Sequence, residues 1–362
     1  MTRAADHGGR PDVVDGLTRR GFILGGLSLA AALTACGSDT APAPAPNGGG
    51  ASGFPVTVAH KYGSTTIPAE PKRVVTVGFT DPDYVLPLGV QPVAITDWYG
   101  DYPQGVWPWA LDALGDANPA VMPRPQDDKL NFELIASFQP DLIIGSYTGM
   151  TKEEYERASR LATTVAQSGE YPDYLTPWQV TMRTFGAAFG SSARAEELIA
   201  GVESRFEAVR REHPEFAGTQ LIVAERFDPA TTYIRTEKEP QNALFTELGF
   251  TQPAPIAALL VDEDGYSGNL SDERMELLDT ASVLVWKLFE DPSPVPGELA
   301  AHPLYPKLKV AQEGRDIFLI DQVLTGALAF GSALSLPYAL DRIVPMLTAA
   351  LDGDPATEPP AQ

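Results

Sequence analysis

The stretch Thr176–Pro214, TPWQVTMRTFGAAFGSSARAEELIAGVESRFEAVRREHP, decides how the rest of the chain is arranged. Thr176 reads as an N-cap, Pro177 as the first helical residue and Gln179 as the reciprocal partner, the pattern of a capping box. Trp178, Met182, Phe185 and Phe189 recur at helical spacing and predict one apolar stripe. Gly190, Ser191 and Ser192 interrupt that stripe and offer a new cap. Beyond them Ala195, Leu198, Ile199, Val202, Phe206 and Val209 keep the helical period. Arg210, Arg211 and His213 then suit a helix C-terminus, and Pro214 ends it. About 22 residues at about 1.5 Å each make a rod of about 33 Å, long enough to leave one small domain and enter the next.

The segments on the two sides of the rod resemble each other. On the N-terminal side, Lys72–Gly78 is an apolar run behind Pro71, consistent with a buried parallel strand. A short helix over Tyr84–Leu88 closes at Gly89, Val90–Ile95 reads as the next strand, and Leu130–Gly145 gives a helix and a third strand. On the C-terminal side, Gln220–Ala224 is again a short strand, Asn242–Leu248 a helix closed by Gly249 before an apolar residue, and Leu270–Glu273 opens a helix leading to the strand Ser282–Trp286. Alternating strands and helices predict an α/β fold of two lobes with mostly parallel sheets, its ligand contacts in loops beyond the strand C-termini. This division sets the boundaries at 56–176 for the N-terminal lobe, 177–213 for the helix pair, 214–351 for the C-terminal lobe and 352–362 for a disordered tail.

The length of 362 residues calls for more than one domain, and 44% hydrophobic content is enough for a core on each side of the rod. The net charge of −22 repels nucleic acid and anionic lipid and suits a basic protein partner. Residues 1–35 hold Arg3, Arg10, Arg19 and Arg20 against Asp6, Asp12 and Asp15, one net positive charge, so their removal leaves −23. Thr18-Arg19-Arg20-x-Phe22 and the apolar run Ile23–Leu33 look like a twin-arginine export signal, too short to span a membrane. Leu33-Thr34-Ala35-Cys36 resembles a lipobox, in which the cysteine becomes the first mature residue and carries lipid. Cys36 is the single cysteine, so no intramolecular disulfide can form. The low-complexity run APAPAPNGGGASG, residues 41–53, fits a flexible tether over 36–55 between a membrane and a folded body.

The order of these segments resembles the substrate-binding lipoproteins of bacterial iron–siderophore ABC importers, the class III periplasmic binding proteins. The resemblance covers 56–351, through IPAEPKRVVTVGFTD (67–81), LNFELIASFQPDLII (130–144), the Trp178–Gly190 helix and GRDIFLID with GALAFGSALSLPYALDRIVPML between 314 and 347. It implies a monomer that takes a ferric siderophore into a cleft between its lobes and presents it to an ABC permease. Haem and cobalamin remain alternative ligands, and an exported hydrolase or an adhesion module is an alternative of another class. In this family a glutamate on each lobe meets permease arginines, and Glu133 and Glu273 occupy the matching positions; an acidic residue there would also stabilise a helical first turn by itself. Arg124 and Arg226 match the family's ligand arginines, and bidentate arginine suits clustered ligand oxygens.

Phe79, Trp98, Tyr99, Tyr147, Trp286 and Lys287 follow or close expected strands, which places them near the cleft mouth, with Arg235, Tyr233 and Tyr266 as further candidates. Each aromatic could equally be core. The mature chain holds only His60, His213 and His302, dispersed, which argues against a directly bound metal. No HExxH, G-x-S-x-G or P-loop occurs, and the single GxGxxG match, Gly48–Gly53, has no strand before it. Ser332 lacks the glycines of a nucleophile elbow. These residues describe a binding protein with no catalytic residue and no cofactor.

Overall fold

A hairpin, β1 (Val56–His60) and β2 (Gly63–Ile67), leads into the first lobe and buries Val58 and Ile67. The structure is a computed structural model that describes residues 53–124, 129–228, 231–259, 267–289, 293–354 and 356–357; Cys36 and the export signal lie outside them.

Five parallel strands form the first sheet: β3 (Val74–Thr76), β4 (Ala94–Thr96), β5 (Ala120–Met122), β6 (Leu142–Ile144) and β7 (Thr163–Val165), in the order β5-β4-β3-β6-β7. Val74, Val75, Thr76, Leu142, Ile143 and Ile144 are all buried, as a sheet covered on both faces requires. Helix α1 (Pro82–Val85) follows β3 and runs into a 3-10 turn closed by Gly89 at φ 79°. Helix α2 (Phe132–Ser137) is capped by Asn131, whose side chain accepts from the Leu134 N–H.

The connector consists of α3 (Trp178–Ala188) and α4 (Ser192–Glu212), separated by Gly190 at φ 64°. The expected capping box is not formed. The N-cap is Pro177 in an extended conformation without a side-chain cap, and the Gln179 amide donates instead to Glu247 at 2.8 Å. Pro177 itself is non-helical, at φ −56° and ψ 144°, so it takes the cap position and the helix starts one residue later than expected. Trp178, Met182 and Phe185 on α3, and Ala195, Ile199, Val202 and Phe206 on α4, are buried as the stripe requires. The helices touch so closely that a Cβ on Gly186 would lie 2.5 Å from that of Ala195.

The second sheet holds β8 (Leu221–Asp228), β9 (Thr231–Arg235), β10 (Ser267–Ser271), β11 (Val283–Lys287) and β12 (Asp316–Leu319), in the order β10-β9-β8-β11-β12. β8, β11 and β12 are parallel, whereas β9 and β10 run antiparallel, so the second lobe repeats the first only in part. The repeated helix stop is structural: the Val90 N–H bonds the Val85 carbonyl and the Phe250 N–H bonds that of Phe245, across Gly89 and Gly249 at φ 79° and 95°. Helix α5 (Gln322–Phe330), capped by Asp321, and α6 (Ser335–Leu351) complete the fold.

Strand alternation sorts the apolar residues into three cores. Val74, Leu142 and Ile144 join Phe185, Phe206, Val223, Val285 and Leu347 in one cluster that runs from the first lobe along the connector into the second. Val75, Val77 and Ile143 form an outer core of the first lobe, and Ile222, Leu284 and Trp286 one of the second. Loops beyond the strands of both sheets meet between the lobes, where Tyr99 lies 6.1 Å from Phe289 and Tyr147 reaches Glu239.

Candidate functional site

From the first lobe come aromatic side chains. Phe79, just beyond β3, stacks on Trp98, beyond β4, with centroids 5.8 Å apart and rings at 15°. The exposed Arg124 guanidinium, beyond β5, lies over the Phe79 ring at 5.4 Å. Trp98 also meets Tyr99 at 4.9 Å, Tyr147 at 5.6 Å and, from the other side, Phe330 of α5 at 5.3 Å. Tyr99 reaches Phe289 beyond β11 at 6.1 Å.

From the second lobe comes a buried group of charges. Glu225 on β8, Tyr233 and Arg235 on β9 and Lys287 on β11 share one face of the sheet, since Glu225 is the register partner of Tyr233. Glu225 Oε1 accepts from Arg235 Nε and from Lys287 Nζ, both at 2.9 Å, and Lys287 Nζ also donates to Gln241 Oε1 at 2.7 Å. Lys287 and Glu225 are each 1% exposed and Glu239 is fully buried. The lobes meet here: the Tyr147 hydroxyl donates to Glu239 Oε1 and accepts from Gln241 Nε2, each at 3.4 Å.

Burial alone would raise the Glu225 carboxyl, but the Lys287 and Arg235 charges outweigh it and hold it below the usual carboxylate range. Burial pushes Glu239 up against the pull of the same two cations, and it pushes Lys287 down against the pull of Glu225. It also raises the Tyr99 phenol, helped by the Glu225 charge, so that hydroxyl keeps its proton. Among the described residues Glu225 Oε2, Glu239 Oε2 and the Tyr99 hydroxyl are buried without a hydrogen-bond partner. Such capacity is what a guest with complementary groups would fill.

Two residues expected in the cleft are elsewhere. Arg226 points to the opposite face from Glu225, where its guanidinium donates to Asp272 Oδ1 at 3.1 Å and Oδ2 at 3.3 Å, beside Glu298 and His302. Trp286 is wholly buried in the outer core of the second lobe, stacked on Phe318 and donating to the Tyr305 hydroxyl at 2.9 Å. The reason is the two-residue period of a strand: the neighbours Glu225 and Lys287 take the inward face, so Arg226 and Trp286 cannot. Tyr266 lies outside the described residues.

Glu225, Glu239, Gln241, Phe289 and Phe330 belong to the site without having been expected there. So does Phe227, which is 60% exposed and packs on Phe289 at 5.7 Å and on Tyr233 at 5.4 Å. Glu133 and Glu273 are exposed, each in the first turn of a helical segment, α2 and the 3-10 stretch Asp272–Thr280. One cavity of 330 Å³ opens beyond β3–β5, lined by Thr96, Arg124, Lys129 and Asn131. Among the described residues no three histidine, cysteine or acidic side chains gather as metal ligands, and no helix is long and apolar enough to cross a membrane.

Two buried aspartates brace the loop after β3. Asp81 accepts from the Gly78 and Ser146 N–H groups and from the Ser146 hydroxyl, tying β3 to β6. Asp83 accepts from Trp109 Nε1 at 2.8 Å and from the Ser332 hydroxyl beyond α5. Burial raises Asp83 to about 7, against those two hydrogen bonds. A carboxyl whose folded pKa is raised stabilises fully below its unfolded pKa and loses that contribution as pH climbs through the folded one. Asp83→Asn, which still accepts from Trp109, should therefore melt above the parent at pH 8 and not above it at pH 4. Melting curves at the two pH values check this, and an equal gap at both would contradict it.

The model of the family described as periplasmic binding protein matches residues 96–323. A periplasmic solute binding protein of Mycobacterium smegmatis is 35% identical, over 82% of this chain and 98% of its own, with a TM-score of 0.72. The iron-uptake protein PiaA of Streptococcus pneumoniae, solved in complex with ferrichrome, is 25% identical over 83% of this chain and 99% of its own, with a TM-score of 0.70. A Bacillus subtilis protein named "Probable siderophore-binding lipoprotein YfiY" is 26% identical over 79% of this chain and 86% of its own. With two lobes on one connecting helix and a match over most of the described body, the chain belongs to the periplasmic binding protein family.

Proposed function

We propose that this chain is the extracytoplasmic receptor of an ABC importer and that it closes its lobes, 56–176 and 214–351, on a ferric siderophore. The observation that carries the reading is the meeting, at the strand C-termini of both lobes, of aromatic faces with a buried group of unsatisfied polar atoms. A metal chelate with a bulky organic shell needs that combination: rings against the shell and a few fixed polar groups for its heteroatoms. Ferrichrome in PiaA and the siderophore in the name of the B. subtilis relative support it.

The contacts assigned are Phe79, Trp98, Tyr99 and Tyr147 from one lobe and Tyr233, Arg235 and Lys287 from the other, with Arg124 at the mouth. Glu133 and Glu273 dock the permease, and lipid on Cys36 holds the protein at the outer face of the cell membrane as a monomer. Its action is binding alone, without a bond-making step. Trp98 sits among the assigned contacts, so ferric siderophores should quench tryptophan fluorescence saturably, and the chelate's visible colour should travel with the protein through a sizing column. Saturation by haem or cobalamin, with no response to hydroxamate, catecholate or carboxylate siderophores, would overturn the ligand assignment.

A further inference from the structure

Resting on that reading, we infer that the cleft takes ferric siderophores carrying a hydrocarbon arm, and that the arm lies on a shelf of rings, Phe227, Phe289 and Tyr233, at the rim of the second lobe. The inward face of β8 and β11 changes character along its length. Its buried part holds Glu225 and Lys287, each 1% exposed. The two-residue period of a strand then brings Phe227, near the end of β8, and Phe289, just beyond β11, to the same face.

The rings are joined to one another and to the site. Phe227 stacks on Phe289 with centroids 5.7 Å apart and rings at 23°, and it meets Tyr233 edge to face at 5.4 Å. Lys287 Nζ lies over the Phe289 ring at 5.4 Å, and the same ring reaches Tyr99 of the first lobe at 6.1 Å. The shelf therefore continues the cleft outward. None of its rings belongs to the three cores of the fold. Exposure rises along the stack, from the half-buried Phe289 and Tyr233 to Phe227, which at 60% is the most exposed large hydrophobic side chain among the described residues.

A phenyl ring offers neither a hydrogen bond nor a charge, so the guest that gains most by covering it is hydrocarbon. The chelate's heteroatoms have their own partners deeper in, the buried polar atoms beside Lys287, and a substituent leaving that part of the guest toward solvent passes over Phe289 and Phe227. Each methylene that moves from water onto the rings multiplies affinity by about four. A chain that is only partly seated thus gains about tenfold or more.

The test is a fluorescence titration with the N-acetyl and the N-octanoyl amides of ferrioxamine B, which share one iron centre and zero net charge and differ in chain length alone. The protein is the full chain carrying Cys36→Ser, which removes the lipid acceptor, in buffer free of the detergent that would compete for the acyl chain. The octanoyl complex should bind about tenfold or more tightly than the acetyl one; Phe227→Ser should cut that preference to about threefold or less, and Phe227→Leu should keep most of it. Equal affinities in the parent overturn the inference and leave the receptor reading standing, since Phe227 is then covered by lobe closure or by a protein partner. A preference that Phe227→Ser leaves intact overturns it as well, because the chain is then held elsewhere. If another ferric siderophore binds and neither amide does, the shelf proposal falls alone. If no ferric siderophore binds, the receptor reading falls with it.

Discussion

Lys287→Met should lower stability by about 3 kcal/mol, the low end of what breaking a buried ion pair costs. The ammonium is 1% exposed and holds Glu225 Oε1 and Gln241 Oε1 at 2.9 and 2.7 Å. Methionine fills the same volume but leaves Glu225 to Arg235 alone, and it removes one of the two cations that oppose the burial penalty on Glu239. Part of the loss is the surviving partner's uncompensated charge, so adding Glu225→Gln to Lys287→Met should recover a substantial share of it. Urea unfolding of the parent, both single variants and the double variant closes the cycle and isolates the pair. A cost under about 1 kcal/mol, the range of an exposed pair, would mean that water reaches Lys287 and that the lobes stand apart in solution.

The same side chains show where the sequence is readable. The connector is legible because 21 residues with one apolar stripe leave a single interpretation, and the fold keeps that stripe inside. Its first cap is misleading because proline fixes φ but not ψ, and Pro177 takes ψ 144° outside the helix rather than serving as its first residue. Strands β5 and β7 escape notice because Ala120–Met122 is followed by Pro123 and Thr163–Val165 is mostly threonine, so neither stands out as an apolar run as β3 and β6 do.

Within the site, alternation alone is enough to exchange Arg226 for Glu225. Leu221 and Val223 join the shared core while Ile222 and Ala224 join the outer one, and extending that pattern by two residues puts the glutamate inside. The same count separates Lys287 from Trp286. Glu239 and Gln241 are beyond such reasoning: they sit in a turn, and their role depends on Tyr147 arriving from the other lobe more than ninety positions away.

A chain carrying both Glu133→Ala and Glu273→Ala should bind its ligand as the parent does and yet support little or no uptake. Each carboxylate is exposed, one on each lobe, in the first turn of a helical segment. As first-turn acids they contribute about 0.3 to 1 kcal/mol apiece to their helices, so the double variant should melt within a few degrees of the parent. If docking is their purpose, each is buried against a permease cation only in the complex. Truncating one partner of such a pair costs about 2 to 5 kcal/mol, tenfold or much more in affinity. One substitution should therefore slow delivery, and two should nearly stop it.

Gln at both sites removes charge while keeping shape and should behave like Ala, whereas Lys at either site should repel the permease and cost more than Ala does. Uptake of a radiolabelled ferric siderophore by cells lacking the native receptor separates these outcomes, with fluorescence titration confirming that the cleft is untouched. Full uptake by the double alanine variant would return both glutamates to the role of helix-terminal charges.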